Sequence, residues 1–125
     1  MTEHYPPHWH KHLPEIEVGL EACGGSHTAD DLLAALRSGE MTWYASNDAF
    51  VIVEILRHPR LTVMNVSLAG GDLDHMRDLE TVVDNLARAH GCNVIDIIGR
   101  AGWARVFKDR YQRAGVILRK AVHHG

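Results

Sequence analysis

The chain has 125 residues, 46% of them apolar, with 13 basic against 16 acidic side chains and a formal charge of -3. That length fits one domain around one core, and the intermixed charges argue against a dedicated nucleic-acid surface. The longest apolar runs, residues 49–56 and 61–69, are too short for a membrane helix, and the polar start carries no secretory signal, so a cytoplasmic protein is expected.

Residues 1–12 are rich in His and Pro, and the adjacent Pro6 and Pro7 bar a helix interior. They are expected to form an extended arm before a single domain at 13–122, with 123–125 as a tail. Along 13–23, Leu13, Ile16, Leu20 and Cys23 recur at helical spacing, Pro14 suits a first turn, and Gly24 and Gly25 supply a stop. A second helix starts at Thr28, with Asp31 in the capping-box position, and runs through Leu32, Leu33 and Leu36 to Gly39.

The β-branched and aromatic runs 41–45 and 49–56 predict a hairpin across Ser46, Asn47 and Asp48. A turn at His58, Pro59 and Arg60 leads into a third strand, 61–68. Strict alternation puts Leu61, Val63, Asn65 and Ser67 on one face and Thr62, Met64, Val66 and Leu68 on the other. Gly70 and Gly71 are expected to end that strand. Asp72 is placed to cap a long helix with apolar positions Leu73, Met76, Leu79, Val82, Val83 and Leu86, stopped by Gly91. The apolar run 94–98 predicts a strand covered on both faces, followed by a short helix at 101–110 and a last strand at 112–122. Cys23 and Cys92 lack metal-like spacing and read as reduced thiols.

This order of elements, with its β-to-helix crossover over 61–98, resembles the N-acetyltransferase-like (GNAT) fold. That fold is α/β, with a mixed sheet whose antiparallel N-terminal strands precede a β-α-β crossover, flanked by helices. The block Gly91-Cys92, Gly99-Arg100-Ala101-Gly102-Trp103-Ala104-Arg105-Val106-Phe107, Tyr111 and Val116-Ile117-Leu118-Arg119-Lys120 resembles small GNAT-like proteins encoded in tailed-phage and prophage gene clusters. The resemblance implies virion or other phage-encoded proteins as partners, in the host cytoplasm or the particle.

GNAT enzymes are similar to one another in a loop Arg/Gln-x-x-Gly-x-Gly/Ala, whose amides and following helix N-terminus hold the pyrophosphate of acetyl-CoA. The resemblance places that loop over Ser67, Leu68, Ala69, Gly70, Gly71 and Asp72. With Gly70 as the first glycine, Ser67 replaces Arg/Gln and a carboxylate, Asp72, replaces the final small residue. With Gly71 instead, Leu68 and Leu73 take those places. Both registers depart from the pattern. The family's general-acid Tyr falls on Phe107, which has no proton to give, and Tyr111 is the nearest phenol. Glu54 is the one carboxylate of 49–56 and the candidate base; Asn65 and Ser67 either bind a substrate or line a polar cleft. No cofactor is therefore expected, and acetyl-CoA is the one implied if the protein is active.

Arg100, Arg105, Lys108 and Arg110 lie beside Trp103 and Tyr111, the residue types enriched in interfaces, and are read as a partner-facing surface; the alternative is a solvated basic face with Trp103 in the core. In an extended arm His8, His10 and His12 would share one face and suit zinc or nickel, but no carboxylate or cysteine completes the set, so no metal is expected. Two functions follow. One is a catalytically degenerate, phage-related GNAT-like protein with a virion or assembly role through protein contacts. The other is an active N-acetyltransferase with an atypical CoA loop and an unknown amine substrate. A homo-oligomer is compatible with both, and no membrane or nucleic-acid partner is expected.

Overall fold

The computed structural model describes residues 4–98 and 107–124. Helices α1 (Trp9–Ala22) and α2 (Ala29–Ser38) precede three antiparallel strands, β1 (Thr42–Ala45), β2 (Ala49–Arg57) and β3 (Thr62–Gly71). Helix α3 (Leu73–Ala89) then crosses to β4 (Val94–Ile97), which runs parallel to β3 and completes a sheet of order β1-β2-β3-β4. This is the mixed α/β architecture that the hydrophobic periods predict. None of the described helices is long and apolar enough to cross a membrane.

The sheet divides the core in two. On one face Val51, Val53, Met64 and Val66 pack against Met76, Leu79 and Val83 of α3. On the other, Phe50 and Ile52 pack against Ile16 and Leu20 of α1 and Leu32 and Leu33 of α2. Thr28 caps α2 as its sequence predicts: its side chain accepts from the Asp31 amide at 3.1 Å while Asp31 accepts from the Thr28 amide at 2.8 Å.

The strand alternation expected for β3 breaks at one point. Ile52 pairs with Leu68 but Val53 pairs with Val66, so Ser67 is an extra residue with no partner of its own. Such a bulge inverts the facing of everything beyond it. Leu68 consequently joins the α1 side, not the side of Met64 and Val66, and Ala69 takes its place against α3.

The N-terminal arm is also shorter than expected. Helix α1 begins at Trp9, after His8 in the left-handed region at φ 66°, and both Trp9 and His12 are only 2% exposed. Trp9 lies 5.4 Å from the Trp43 ring, and the Trp43 indole N–H donates to the Pro7 carbonyl at 2.8 Å. Arg37 donates to the carbonyl of His4 at 3.1 Å. Burying a Trp outweighs the reluctance of the two prolines, which stay ahead of the first turn.

At the other end, residues 111–124 join no helix or strand. The strand expected at 112–122 is thus not formed, and Val116, Ile117 and Leu118 remain exposed. Three consecutive apolar residues give the segment no single face to bury, and Arg119 ties it to the body by donating to the Cys23 carbonyl at 3.2 Å. Of the helix expected at 101–110, residues 101–106 lie outside the described residues and 107–110 form a turn.

Candidate functional site

Gly70 and Gly71 do not form a loop after β3; they are its last two residues, paired with Phe50 and Ala49. Only glycine fits either place. A Cβ on Gly70 would lie 2.7 Å from a Glu15 carboxylate oxygen and 2.8 Å from the Phe50 ring, and one on Gly71, at φ 120°, would strike the Asp48 carbonyl oxygen. The β2 ladder therefore continues through this stretch and takes up the amides on that edge of it.

The α3 N-terminus is filled in the same way. The Asp72 amide donates to the Asp48 carbonyl at 2.8 Å. Its carboxylate accepts from the Asp74 amide at 2.9 Å and the His75 amide at 3.4 Å, and lies 3.1 Å from His75 Nδ1. His75 Nε2 in turn lies 3.5 Å from an Asp48 carboxylate oxygen. The hydrogen bond from the His75 side chain, and then those from the two amides, hold the Asp72 carboxyl below its ordinary value. The same contact with Asp72 raises His75, helped by the charge of Asp48.

Beside this filled terminus, β3 and β4 part. Their pairing ends at Val66 and Ile97, whereas β3 continues to Gly71 paired, among the described residues, with β2 alone. The opening forms a cleft of about 860 Å³ between the strands and α1, lined by Glu15, Gly19, Ser67, Leu68, Ile98 and Arg119 among others. Of the six residues assigned by resemblance to the cofactor loop, Ser67, Leu68, Ala69 and Gly70 line this cleft, and Gly71 and Asp72 do not.

Glu54, Asn65 and Ser67 come together. Glu54 Oε1 accepts from Asn65 Nδ2 at 3.4 Å and from the Ser67 hydroxyl at 3.3 Å. Asn65 is 9% exposed and its Oδ1 has no hydrogen-bond partner among the described residues. Tyr111 is elsewhere, on the α3 face, where its hydroxyl donates to Glu80 Oε1 at 3.1 Å. Phe107 is buried beside it, ring centroids 5.6 Å apart. Burial first, then the Glu80 charge, pushes the Tyr111 phenol well above the ordinary tyrosine value.

Of the expected partner surface, Arg100, Trp103 and Arg105 lie outside the described residues. Lys108 is exposed, and Arg110 pairs with Glu80 at 2.6 Å. The one-face arrangement of His8, His10 and His12 does not form: His8 stands at the N-cap position of α1 with no side-chain cap bond, and on a helix His10 and His12 diverge by about 200°. His12 is committed inward, its Nε2 2.8 Å from the Ser46 carbonyl oxygen. Among the described residues no three His, Cys, Asp or Glu side chains are grouped to hold a metal ion.

Sequence reading missed Glu80, and set His12 on an extended arm where the structure buries it on α1. Glu80 carried a signal, since it stands four residues after Met76 and three before Val83 on the buried stripe of α3. His12 stands four residues before Ile16 in the same relation.

Solved structures share this architecture. Protein TTHA1254 from Thermus thermophilus is similar with a TM-score of 0.59 at 14% identity, covering 98% of this chain and 98% of its own. A tetramutant of protein BH1408 from Bacillus halodurans gives 0.61 at 11% identity over 89% of each chain. A ribosomal-protein-alanine N-acetyltransferase from Brucella melitensis biovar Abortus 2308 gives 0.59 at 16% identity over 94% of this chain and 93% of that one. No protein-family model and no curated protein matches the sequence. At such identities the likeness is one of fold, and the fold is GNAT-like.

Proposed function

We propose that this GNAT-like protein is catalytically degenerate and works through protein contacts, in a phage-related virion or its assembly. One observation carries the loss of catalysis: two first-turn amides of α3, those of Asp74 and His75, already donate to the Asp72 carboxylate. A pyrophosphate would have to displace that carboxylate and then sit among Asp48, Asp72 and Asp74, where like charges repel. Phe107, at the family's general-acid position, adds to the case. The phage setting, cytoplasmic or particle-borne, is supported by the Gly91 to Lys120 sequence block, and Lys108 is the described residue through which a partner would be met.

Calorimetric titration with acetyl-CoA tests the loss. No saturable binding is expected in the micromolar range, and Asp72→Gly should bind more tightly than the unmodified protein. Submicromolar binding by the unmodified chain overturns the reading. For the partner, charge reversal at Lys108 should reduce incorporation into particles, measured by quantitative mass spectrometry; unchanged incorporation counts against the basic face.

The β3–β4 cleft favours a second reading, an N-acetyltransferase that takes acetyl-CoA through an atypical loop and acetylates an unknown amine. Glu54, hydrogen-bonded to Ser67, is its general-base candidate. Release of free CoA thiol with a panel of amines, abolished in Glu54→Gln, would establish it.

A further inference from the structure

Tyr111 and Arg119 fasten one stretch of chain to opposite faces of the sheet. The Tyr111 hydroxyl donates to Glu80 of α3 at 3.1 Å, and the Arg119 guanidinium donates to the Cys23 carbonyl, at the end of α1, at 3.2 Å. Residues 112–118 must therefore pass from the α3 face to the α1 face. Val66, Ala69 and Ile97, around the point where β3 and β4 part, line both the small cavity beside Phe107 and Tyr111 and the cleft on the other side. Ile117 and Arg119 line that cleft too, whose walls are made apolar by Val18, Leu68 and Ile98. The crossing lays chain on the cleft without filling it, since Ile117 stays 62% exposed.

The two fastenings differ in strength for a physical reason. Glu80 is buried and takes both Tyr111 and Arg110, whereas the Arg119 bond joins exposed residues, where water competes. The seat of Arg119 is nevertheless specific. The last turn of α1 has no basic side chain of its own, and the carbonyls at a helix C-terminus attract a cation. Gly24, at φ 83°, keeps the place open, because a Cβ there would stand 2.5 Å from Arg119 Nη1. Arg119 thus brings from 96 residues away the charge that the end of α1 lacks. With a firm anchor at Tyr111 and a water-exposed one at Arg119, the stretch opens from the Arg119 end.

We propose that residues 112–119 are a strap across the β3–β4 cleft, hinged at Tyr111 and latched by Arg119 to the end of α1, and that release of the latch opens the cleft to apolar ligands. This goes beyond the functional reading above and holds for an enzyme or a structural protein alike. Arg119→Ala in the full chain tests it, with Lys120→Ala as the control because Lys120 does not line the cleft. Trypsin should cut after Arg113 severalfold faster in Arg119→Ala, and the fluorescence of the apolar dye anilinonaphthalenesulfonate should rise severalfold with it. Loss of a cation would by itself weaken binding of that anionic dye, so a rise reports the opened cleft. Hydrogen exchange at the amides of Val53 and Val83, both in the core on the α3 face, should stay unchanged, which separates an opened strap from a loosened fold. Lys120→Ala should alter none of the three. Cleavage and dye fluorescence equal to those of the unmodified chain overturn the proposal. So does a rise in one without the other, or faster exchange at the core amides.

Discussion

Arg110 closes over Glu80, with Nη1 2.6 Å from Oε2, where the glutamate side chain is 7% and the arginine side chain 57% exposed. Tyr111 takes the other carboxylate oxygen at 3.1 Å. One acid on the buried stripe of α3 thereby holds the 107–111 turn at two points, and Phe107 lines a small cavity together with Met76, Leu79 and Val83.

Arg110→Ala should leave that carboxylate with the phenol alone. The expected loss is about 1–3 kcal/mol, below the roughly 3–5 of a fully buried pair because the guanidinium is half in water. Urea denaturation measures it. Adding Glu80→Gln to Arg110→Ala should recover part of the loss, since no lone charge remains. An Arg110→Ala chain as stable as the original would mean that water already serves Glu80.

Tyr111 should ionise above the ordinary tyrosine value of 10.0. Its phenol is raised in the folded state by burial and then by Glu80, so the fold binds that proton more tightly than the unfolded chain does. The resulting stability is fully present below the unfolded value of 10.0 and is lost as pH rises through the folded one. Phenolate absorbance should show a component that ionises above the ordinary tyrosine value and disappears in Tyr111→Phe, which should also make the alkaline loss of stability shallower. A titration unchanged by Tyr111→Phe above that value would contradict the burial.

Asp72 and His75 set a second window. The Asp72 carboxyl is lowered from 3.8, so its contribution is present above that value and lost as pH falls through the folded one. The His75 imidazole is raised from 6.5, so its contribution is present below 6.5 and lost as pH rises through the folded value. Both act together between 3.8 and 6.5. Nuclear magnetic resonance titration should find His75 above an ordinary histidine, and Asp72→Asn should return it. A His75 titration unchanged by Asp72→Asn would sever the link.

Local signals made much of this fold legible. The capping box at Thr28 and Asp31, the Asp72 cap and the 3.6-residue stripe of α3 are each decided within a few residues of chain, and each formed where the sequence put it, except that Leu73 at the head of the stripe is exposed. The failures are tertiary. Ser67 bears no mark of a bulge, yet moves Leu68 across the sheet because Val53 pairs with Val66. Gly70 and Gly71 look like a strand stop, but their missing Cβ atoms make room for Glu15, Phe50 and Asp48. In the candidate site, the meeting of Glu54 with Asn65 and Ser67 depended on the register of two strands, which single-strand patterns do not contain.

Gly71 and Gly39 separate steric from conformational demand, because both have positive φ, 120° and 87°. At Gly39 an added Cβ meets nothing within 4 Å, so Gly39→Ala should cost only the left-handed backbone, about 1 kcal/mol. At Gly71 the same Cβ strikes the Asp48 carbonyl oxygen and stands 2.9 Å from Ala49 Cβ. Neither can rotate away as a long side chain would. The end of the β2–β3 ladder must therefore shift, and with it the bond from the Asp72 amide to Asp48. We expect Gly71→Ala to cost about 3 kcal/mol or more, strain and overpacking together, and to speed hydrogen exchange at the Asp72 amide. Gly39→Ala should leave that amide as protected as before. Equal losses in chemical denaturation for the two variants would show that the ladder does not continue through Gly71, and the α3 terminus would then be open enough to receive an anion.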